Sequence, residues 1–320
     1  MTTNNTINDN KMSIKSIKIF APATVANLSC GFDVLGCCLD TVGDEMVISL
    51  TSESGVRITK IEGANLPLST KENVAGVAVE ALLKNYYKKV GIDIEIYKKI
   101  KAGSGIGSSA ASSAGAVWAV NYLLDHPFTP HQLVAFAMEG EKLASGNAHA
   151  DNVAPALLGG FTLVRSYNPL DVIKLHTPQD LVMTVIHPQI EVKTSDARSV
   201  IKQNVTLKQA IHQWGNVGGL VSGLFMEDYD LIGRSLEDVI VEPMRSILIP
   251  EFNNVKKAAI AQGALGCGIS GSGPSIFALS KGLDTAKNVA EAIRKVYTKT
   301  GLDFDIHISK INSQGIKIIY

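Results

Sequence analysis

Net charge, paired cysteines and long apolar runs are all missing from this 320-residue sequence. Lysine plus arginine and aspartate plus glutamate number 30 each, so no global field favours nucleic acid or an anionic membrane as a partner. No uninterrupted apolar run reaches membrane-spanning length. The polar first dozen residues lack the apolar segment of a secretory signal. We therefore expect a cytoplasmic protein with a flexible tail at residues 1–15.

The few cysteines exclude a disulfide scaffold and a cysteine-based zinc site. None of the four forms a C-x-x-C pair, and no cysteine–histidine cluster has zinc spacing: Cys30, Cys37, Cys38 and Cys267. Buried free thiols in a reducing compartment are the expectation. With 46% hydrophobic residues the chain can build a substantial core, and its length suits two packed domains.

A strand, a glycine-studded turn and a helix start follow one another from Ile92 to Leu124. Ile92, Ile94 and Ile96 alternate with polar residues, which predicts a half-buried strand. The turn K-A-G-S-G-I-G-S-S-A follows, and then a run of small residues predicts a buried helix with Ser108 and Ser109 near its cap. Backbone N–H groups and a helix N-terminus favour an anion, so we expect a phosphate site. The turn fits neither the P-loop nor the G-x-G-x-x-G pattern, so a tight turn without a ligand stays an alternative.

The remaining patterns predict a mixed α+β protein, because strands and helices alternate without a regular βαβ count. Strands are expected at 16–20, 45–51, 56–61, 161–164, 181–187, 275–279, 304–308 and 315–320. Helices are expected at 73–90, 110–124, 130–144, 199–226 with an interruption around 215–219, 252–262 and 287–297. A domain boundary is placed near residue 170, giving domains at 16–170 and 171–320.

Polar residues within apolar segments mark candidate sites. The segment A-P-A-T-V-A-N-L-S-C-G-F-D-V-L-G is too apolar for a surface loop, so it is expected to pack inside while presenting Asn27 and Asp33, unless both only cap turns. Of Glu139 and Glu141, one is expected to be solvated and the other to face the glycine turn. His149, Asp151 and Asn152 cluster in a small-residue stretch. Thr194 and Arg198 fall near a helix start, and Arg245 is either a site residue or a surface residue.

Three segments in this order resemble the GHMP kinase superfamily: the apolar segment above, G-S-G-I-G-S-S-A-A-S-S-A, and G-C-G-I-S-G-S-G-P-S-I-F-A-L. The segments H-A-D-N-V-A-P-A-L-L-G-G and K-T-S-D-A-R resemble the branch that phosphorylates L-homoserine. The resemblance implies an N-terminal domain like the second domain of ribosomal protein S5 and a ferredoxin-like C-terminal domain. It implies ATP as donor, Mg²⁺ as cofactor and L-homoserine as acceptor in threonine biosynthesis, and it is compatible with a homodimer.

The resemblance also implies roles for single residues. ATP-binding residues would be Asn73 at the adenine and the turn itself: Lys101, Ala102, Gly103, Ser104, Gly105, Ile106, Gly107, Ser108 and Ser109. Lys101 stands where many relatives have proline. Mg²⁺ would be held by Glu141 and Ser109, with Ser108 as the alternative to the serine.

The acceptor would be a zwitterion with a free hydroxyl. Asp33 suits its ammonium, and Arg198 and Arg245 suit its carboxylate. By resemblance, Asn27, His149, Thr194 and Asn152 complete the pocket. Asp151, Asn152 and Arg198 are the candidate catalytic residues, and the base is either Asp151, Asn152 or none, because a dissociative transition state needs little help from a base.

Two other functions stay open at this point. A relative acting on a mevalonate or sugar acceptor would give no reason for Asp33 and Arg198 to occur together. A non-catalytic nucleotide sensor of the same fold would give no reason to keep Ser109 and Glu141.

Overall fold

The computed structural model describes residues 15–192, 194–202 and 204–319. The predicted tail at residues 1–15 lies outside the described residues except for its last position, and so do the side chains of Thr194 and Ser195. Within the described part of the chain, no helix is both long and apolar enough to span a membrane.

Eleven strands are described, and they form two sheets. In chain order they are β1 (Ser16–Ala26), β2 (Leu35–Thr51), β3 (Gly55–Glu62), β4 (Gly91–Tyr97), β5 (Phe161–Tyr167), β6 (Leu170–Leu175), β7 (Leu181–Pro188), β8 (Gly266–Ile269), β9 (Ile276–Lys281), β10 (Phe304–Lys310) and β11 (Lys317–Ile318). The predicted α+β class is confirmed, since ten helices accompany them.

The helices are α1 (Val74–Leu83), α2 (Ser108–Leu123), α3 (Pro130–Ser145), α4 (Val153–Leu158), α5 (Thr194–Ser199), α6 (Leu207–Met226), α7 (Tyr229–Ser235), α8 (Glu242–Arg245), α9 (Phe252–Ala261) and α10 (Leu283–Thr298). Single 3₁₀ turns at Thr70–Glu72 and Ser246–Leu248 precede α1 and follow α8.

The first sheet has seven strands in the path β11-β1-β2-β4-β3, with β5 attached to β2 and β6 attached to β5. The 17-residue β2 pairs with β1 on one edge and with two strands on the other edge, where its first residues pair with β5 and its last seven pair with β4. Among the described strands, β3 and β4 are the only parallel pair. The predicted alternation is confirmed: Ile92, Ile94 and Ile96 are buried, while the polar residues between them are half-buried.

Helix α2 lies on this sheet because its residues are small. A Cβ at Gly115 would come within 2.7 Å of the Met46 Sδ and 2.9 Å of the Ala21 Cβ, so only glycine allows this approach. Gly140 gives the same close approach to α3, where a Cβ would meet the Ser113 Oγ at 2.3 Å. The glycine turn before α2 is thereby fixed against both the sheet and α3.

The second sheet is four-stranded and antiparallel, in the order β10-β7-β9-β8. Helices α9 and α10 cover one face of it, and their apolar residues form a core of their own that includes Phe252, Val255, Ile293 and Tyr297. The Tyr297 hydroxyl, buried in this core, donates to the Pro250 carbonyl at 2.7 Å, as a buried phenol requires.

Several predicted elements differ from the structure, and the helix predicted at 199–226 begins only at Leu207. The predicted interruption at 215–219 is wrong, because α6 runs through it; Gly219 and Gly223 instead give room to α7, where a Cβ would meet the Ser235 Oγ and the Ile232 Cγ1. Helix α1 ends at Leu83 rather than Val90, where the Asn85 amide donates to the Ala81 carbonyl at 3.0 Å. The segment 21–36 is partly strand, since β1 and β2 extend into it.

The division near residue 170 stays a prediction. Residue 170 is the first residue of β6, which pairs with β5 inside the first sheet. The last strand, β11, also returns to the first sheet, where Ile318 lies opposite Ile19 of β1.

Candidate active site

A cleft of about 670 Å³ lies where the glycine turn and a second glycine-rich segment, residues 266–279, meet the turn between β1 and β2. Most of the predicted site residues line it: Asn27, Asp33, Ala102, Gly103, Ser104, Gly105, Gly107, Ser108, Ser109, Glu141, His149, Asp151, Asn152, Arg198 and Arg245. Segments far apart in sequence thus contribute to one concave site, as expected for a ligand pocket.

The glycine turn at one end of the cleft has the backbone geometry that its composition predicts. Gly103, Gly105 and Gly107 have φ values of 73°, 81° and 70°, a left-handed conformation that glycine adopts without steric cost. Gly107, and not a serine side chain, is the cap of α2; the Ser108 hydroxyl donates to the Ile100 carbonyl at 3.1 Å instead. The residues of the N-terminal turn of α2 line the cleft, and the free N–H groups of a helix N-terminus favour an anion.

The two glycine segments hold each other in place. The Ser270 hydroxyl donates to the Gly105 carbonyl at 2.7 Å, and the Ser275 N–H donates to the Ser104 carbonyl at 3.2 Å. A Cβ at Gly105 would come within 2.6 Å of the Gly273 carbonyl oxygen. Gly105 is therefore required for the packing of one segment on the other, whereas a Cβ at Gly103 would have only the Glu191 Cγ within 4.0 Å.

A buried lysine that the sequence analysis missed supports the start of α2. The Lys98 ammonium pairs with Asp44 and donates to the Ser108 carbonyl at 2.8 Å and the Ser112 hydroxyl at 3.2 Å. Burial lowers the pKa of Lys98, while Asp44 acts in the opposite direction. Asp44 in turn accepts from the N–H groups of Lys99 and Ile100, so the pair joins β2 to the glycine turn. Only the pairing of β2 with β4 brings these two charges together.

Glu141 is the glutamate of α3 that faces the glycine turn, and Glu139 is exposed to solvent. The Ser109 hydroxyl donates to one Glu141 carboxylate oxygen at 3.1 Å, and the other oxygen, Oε1, is buried without a partner. Burial raises the pKa of Glu141 to about 7, against the opposing effects of Ser109 and Lys98. A buried acceptor without a donor is costly unless a ligand completes it.

The opposite end of the cleft carries a cluster of paired charges. An Arg198 nitrogen lies 3.1 and 3.2 Å from the two Asp33 carboxylate oxygens, and the same nitrogen donates to the His149 Nε2 at 2.9 Å. Burial lowers the pKa of His149, the arginines reinforce that direction and Asp33 opposes it. The cluster therefore holds a neutral imidazole beside a charge-balanced ion pair.

Arg245 is buried, so the alternative prediction, that Arg245 is a surface residue, is wrong. Its Nε donates to the Ala197 carbonyl at 2.8 Å and its Nη1 to the Gly271 carbonyl at 3.0 Å. Burial, and then the nearby Arg198, lower its pKa to about 10. The ring of Phe32 lies 5.0 Å from the Arg245 Cζ and 5.5 Å from the Arg198 Cζ, and this aromatic face partly offsets the repulsion between the two cations.

Asn27 and Asp33 both adopt left-handed conformations, with φ values of 73° and 60°. The Asn27 side chain accepts from the Asp33 N–H at 3.1 Å and donates to the Gly271 carbonyl at 2.8 Å. Asn27 therefore caps the turn and also joins it to the third segment. The Tyr167 hydroxyl, which the sequence analysis missed, donates to the Asp33 carbonyl at 2.7 Å and accepts from the Ala150 N–H at 3.3 Å.

Asp151 and Asn152 also line the cleft. Asp151 is 4% exposed, its Oδ1 has no partner, and burial, followed by the negative charges of Asp33 and Glu141, raises its pKa to about 7. The Asn152 Oδ1 accepts a hydrogen bond from the Thr24 hydroxyl at 2.7 Å. The two neighbours thus differ in chemistry: one is a titratable acid, and the other is a hydrogen-bonded amide.

Some predicted site residues do not reach the cleft with their side chains. Asn73 is buried, accepts from the Ala75 N–H at 3.0 Å and donates to the Pro67 carbonyl at 3.0 Å, so it caps α1. Lys101 points to the Gln189 side chain at 2.7 Å, and Ile106 is buried in the core. The predicted side-chain role of Thr194 lies outside the described residues.

Two family models match the chain. The N-terminal domain of the GHMP kinases matches residues 73–160, and the C-terminal domain of the GHMP kinases matches residues 220–299.

Known proteins are similar to the chain over nearly its full length. The homoserine kinase of Chlorobaculum tepidum is 48% identical over 96% of this chain and 99% of its own length. That of Chlorobium phaeobacteroides is 48% identical over 96% of this chain and all of its own length. The crystal structure of homoserine kinase from Cytophaga hutchinsonii is 53% identical, covers 96% of this chain and 98% of its own, and has a TM-score of 0.92.

Proposed function

Because the chain belongs to the homoserine kinases of the GHMP kinase superfamily, we propose that the cleft described above is where it transfers the γ-phosphoryl group of ATP to the side-chain hydroxyl of L-homoserine. The observation that carries this proposal is that two complementary groups of residues line one cleft. The proposed phosphate end consists of the glycine turn and Glu141, and the proposed acceptor end consists of Asp33, Arg198 and Arg245.

The charge cluster suits a zwitterionic acceptor. When no amino acid is bound, Asp33 and Arg198 neutralise each other, with 3.1 Å between the Arg198 Nη2 and the Asp33 Oδ1. An amino acid brings an ammonium and a carboxylate of its own, so it can take the place of each partner without leaving a charge unpaired. Arg245, already held by two carbonyls, adds a second cation for the carboxylate. A mevalonate or sugar acceptor has no ammonium, so it would offer Asp33 no cation in place of Arg198.

The glycine turn and α2 suit the triphosphate. Phosphoryl transfer depends mainly on positioning and on neutralising charge. Three glycines with positive φ and the N-terminal turn of α2 line the cleft, where free backbone N–H groups would bind phosphate oxygens. The buried Lys98 fixes the first turn of α2 from below, so it acts on the phosphates through the backbone that it positions.

The residues around Glu141 fit a bound Mg²⁺. The unpartnered Oε1 of Glu141 and the adjacent Ser109 hydroxyl supply hard oxygen ligands. Within the described residues, no three or more histidine, cysteine, aspartate or glutamate side chains gather at a metal site. That small donor set suits Mg²⁺, which takes one or two carboxylates and completes its shell with phosphates and water. When bound there, Mg²⁺ would neutralise charge on the phosphates.

Asp151 is the better of the two candidates for accepting the hydroxyl proton. Its pKa of about 7 is near the pH at which a base works best, whereas the amide of Asn152 does not bind a proton at neutral pH. Asp151→Asn should therefore lower kcat by at least 100-fold if a base is needed. A fall of less than tenfold, with an unchanged pH profile, would show that transfer proceeds without a base.

An acceptor panel tests the proposed substrate. Release of ADP with Mg²⁺ and ATP is measured for L-homoserine, mevalonate and galactose at equal concentrations. L-Homoserine should be the best acceptor. A higher rate with mevalonate or galactose would refute the assignment of the charge cluster, although the phosphate end of the cleft would be unaffected.

Other expectations remain proposals. We propose domains at 16–170 and 171–320, a cytoplasmic location, no nucleic-acid or membrane partner, and a homodimer. The four cysteines are all buried and unpaired, which supports a reducing compartment. The balanced charge gives nucleic acid no electrostatic advantage.

A further inference from the structure

One buried histidine lies outside the cleft described above. His187 is the penultimate residue of β7, is 3% exposed and is not among the residues that line the cleft. Its Nδ1 lies 3.2 Å from the Ser275 Oγ, and its Nε2 is buried without a hydrogen-bond partner. Burial, and then the Lys101 ammonium, lower the pKa of His187 to about 4 against the opposing effect of Asp305. A neutral imidazole with one unused nitrogen costs free energy that an apolar side chain would not, so core packing alone does not explain this residue.

The register of the second sheet places His187 beside Ser275. Strand β7 is an inner strand of that sheet, and Ile186 of β7 lies opposite Ile276, the first residue of β9. His187 and Ser275 come next along the two antiparallel strands, so their side chains point to the same face of the sheet. On its other side, His187 pairs with Asp305 of β10. His187 therefore has a fixed position in the sheet.

Ser275 joins this histidine to the glycine turn. The Ser275 N–H donates to the Ser104 carbonyl at 3.2 Å, and the Ser275 carbonyl accepts from the Ser270 N–H at 2.9 Å. The Ser270 hydroxyl in turn donates to the Gly105 carbonyl at 2.7 Å. Two serines of the second glycine-rich segment thus hold two consecutive carbonyls of the glycine turn, and the His187 ring fixes one of these serines.

The held carbonyls also set the direction of two N–H groups. In a planar trans peptide the carbonyl and the N–H of the next residue point in opposite directions, and both peptides here are trans. The N–H groups of Gly105 and Ile106 therefore point away from the two serines. Neither N–H makes a hydrogen bond within the described part of the chain, and Ser104 and Gly105 line the cleft. Two free donors beside the cleft are the kind of group that binds a phosphate oxygen.

We propose that His187 is a positioning residue for the glycine turn, and that it acts through Ser275 on the N–H groups of Gly105 and Ile106. The inference rests on the proposed binding of ATP by this turn. The ring holds the Ser275 hydroxyl, Ser275 holds the Ser104 carbonyl, and the planar peptide fixes the donor that follows. Loss of the ring should therefore weaken ATP binding and leave the acceptor end unchanged.

Isothermal titration calorimetry of the full chain measures the effect on nucleotide binding. The titrant is AMP-PNP with Mg²⁺, an ATP analogue that transfers no phosphoryl group, and no acceptor is present. The variant combines His187→Leu with Ser275→Ala, which replaces the hydrogen-bonded pair by apolar groups and leaves no buried hydroxyl behind. It should bind AMP-PNP roughly fivefold or more weakly than the parent, the loss expected for one hydrogen bond.

Thermal unfolding separates positioning from a purely structural role. Because the double variant removes an unpartnered buried nitrogen, its thermal midpoint should be no lower than that of the parent. Weaker binding with an unchanged or higher midpoint would support the proposal. A Kd within about twofold of the parent value, or weaker binding accompanied by a lower midpoint, would overturn it.

His187→Asn tests the hydrogen bond itself. The asparagine amide reaches about as far as the histidine Nδ1 and can hold the Ser275 hydroxyl, so this variant should keep most of the affinity. If it bound as weakly as the double variant, the bond to Ser275 would not be the cause and the proposal would be wrong.

His307→Leu is the matched control. His307 is half-buried on β10, and it faces the same side of the second sheet as His187. This variant should leave the Kd for AMP-PNP unchanged, and a loss equal to that of the double variant would contradict a specific role of His187. In the ADP-release assay, the KM for L-homoserine should be the same in all variants. A parent chain that bound no AMP-PNP would refute the proposed function together with this inference, whereas equal binding by parent and double variant would refute the inference alone.

Discussion

Replacing Glu141 by glutamine should make the protein more stable and much less active. Burial raises the pKa of Glu141 from 4.5 to about 7. The folded chain therefore keeps a proton that the unfolded chain loses between pH 4.5 and 7, and the folded state is destabilised as the pH rises through that window. At 1.36 kcal/mol per pKa unit, the cost above pH 7 is about 3 kcal/mol. Glutamine removes that cost and can still accept from the Ser109 hydroxyl.

The prediction has two parts, and two assays measure them. In urea unfolding followed by circular dichroism, Glu141→Gln should exceed the parent by up to about 3 kcal/mol at pH 8 and by less than about 1 kcal/mol at pH 5. In the ADP-release assay at saturating Mg²⁺ and ATP, it should lose at least about 100-fold in kcat, because a metal ligand contributes several kcal/mol of charge stabilisation.

Glu139→Gln is the matched control, because Glu139 is exposed on the same helix. It should change neither quantity. If Glu141→Gln gained no stability between pH 5 and pH 8, the carboxylate would not be buried as described. If the two variants had equal turnover, Glu141 would not be the metal ligand.

Three other predictions address the remaining parts of the cleft. Arg198→Leu should lower kcat/KM for L-homoserine by about 100-fold or more, because Asp33 is left partly buried without its cation. Arg198→Lys should recover only part of this loss. A changed KM for ATP in either variant would contradict the separate roles of the phosphate and acceptor ends. Gly103→Ala should fold but raise the KM for ATP about tenfold, since alanine resists a φ of 73°. Gly105→Ala should instead lower the thermal midpoint, since its Cβ would meet the Gly273 carbonyl; equal thermal midpoints for the two would refute this difference. Tyr167→Phe removes the hydroxyl between Asp33 and Ala150. Because the loss of this hydrogen bond costs about 1 kcal/mol, the KM for L-homoserine should rise about fivefold. An unchanged KM would show that the bond does not position Asp33.

Local patterns predicted the elements that carry the phosphate end. The alternation of Ile92, Ile94 and Ile96 identified β4, and the glycines identified the turn, because period and φ preference are properties of adjacent residues. The three family segments, in order, indicated which polar residues would share a site. The α+β class and most of the helices followed from the same local signals.

Contacts between distant residues could not be predicted in this way. Lys98 and Asp44 are 54 residues apart and meet only because β2 pairs with β4. The burial of Arg245 depends on carbonyls of Ala197 and Gly271, which lie in other elements. The cap that the Asn73 side chain forms at α1 was also not predicted, and its contact with adenine stays a prediction.

Strand β11 has a consequence for how the chain is made. Ile318 pairs with Ile19, so almost the whole described chain separates two neighbouring residues of the first sheet. During synthesis, the edge of β1 is not covered until residues 317 and 318 have been made. An uncovered strand edge is a site of aggregation. A fragment that stops after the β5–β6 hairpin would keep that edge open. Truncation or tagging near residue 317 therefore acts directly on the sheet that supports the glycine turn, although the two lie far apart in sequence.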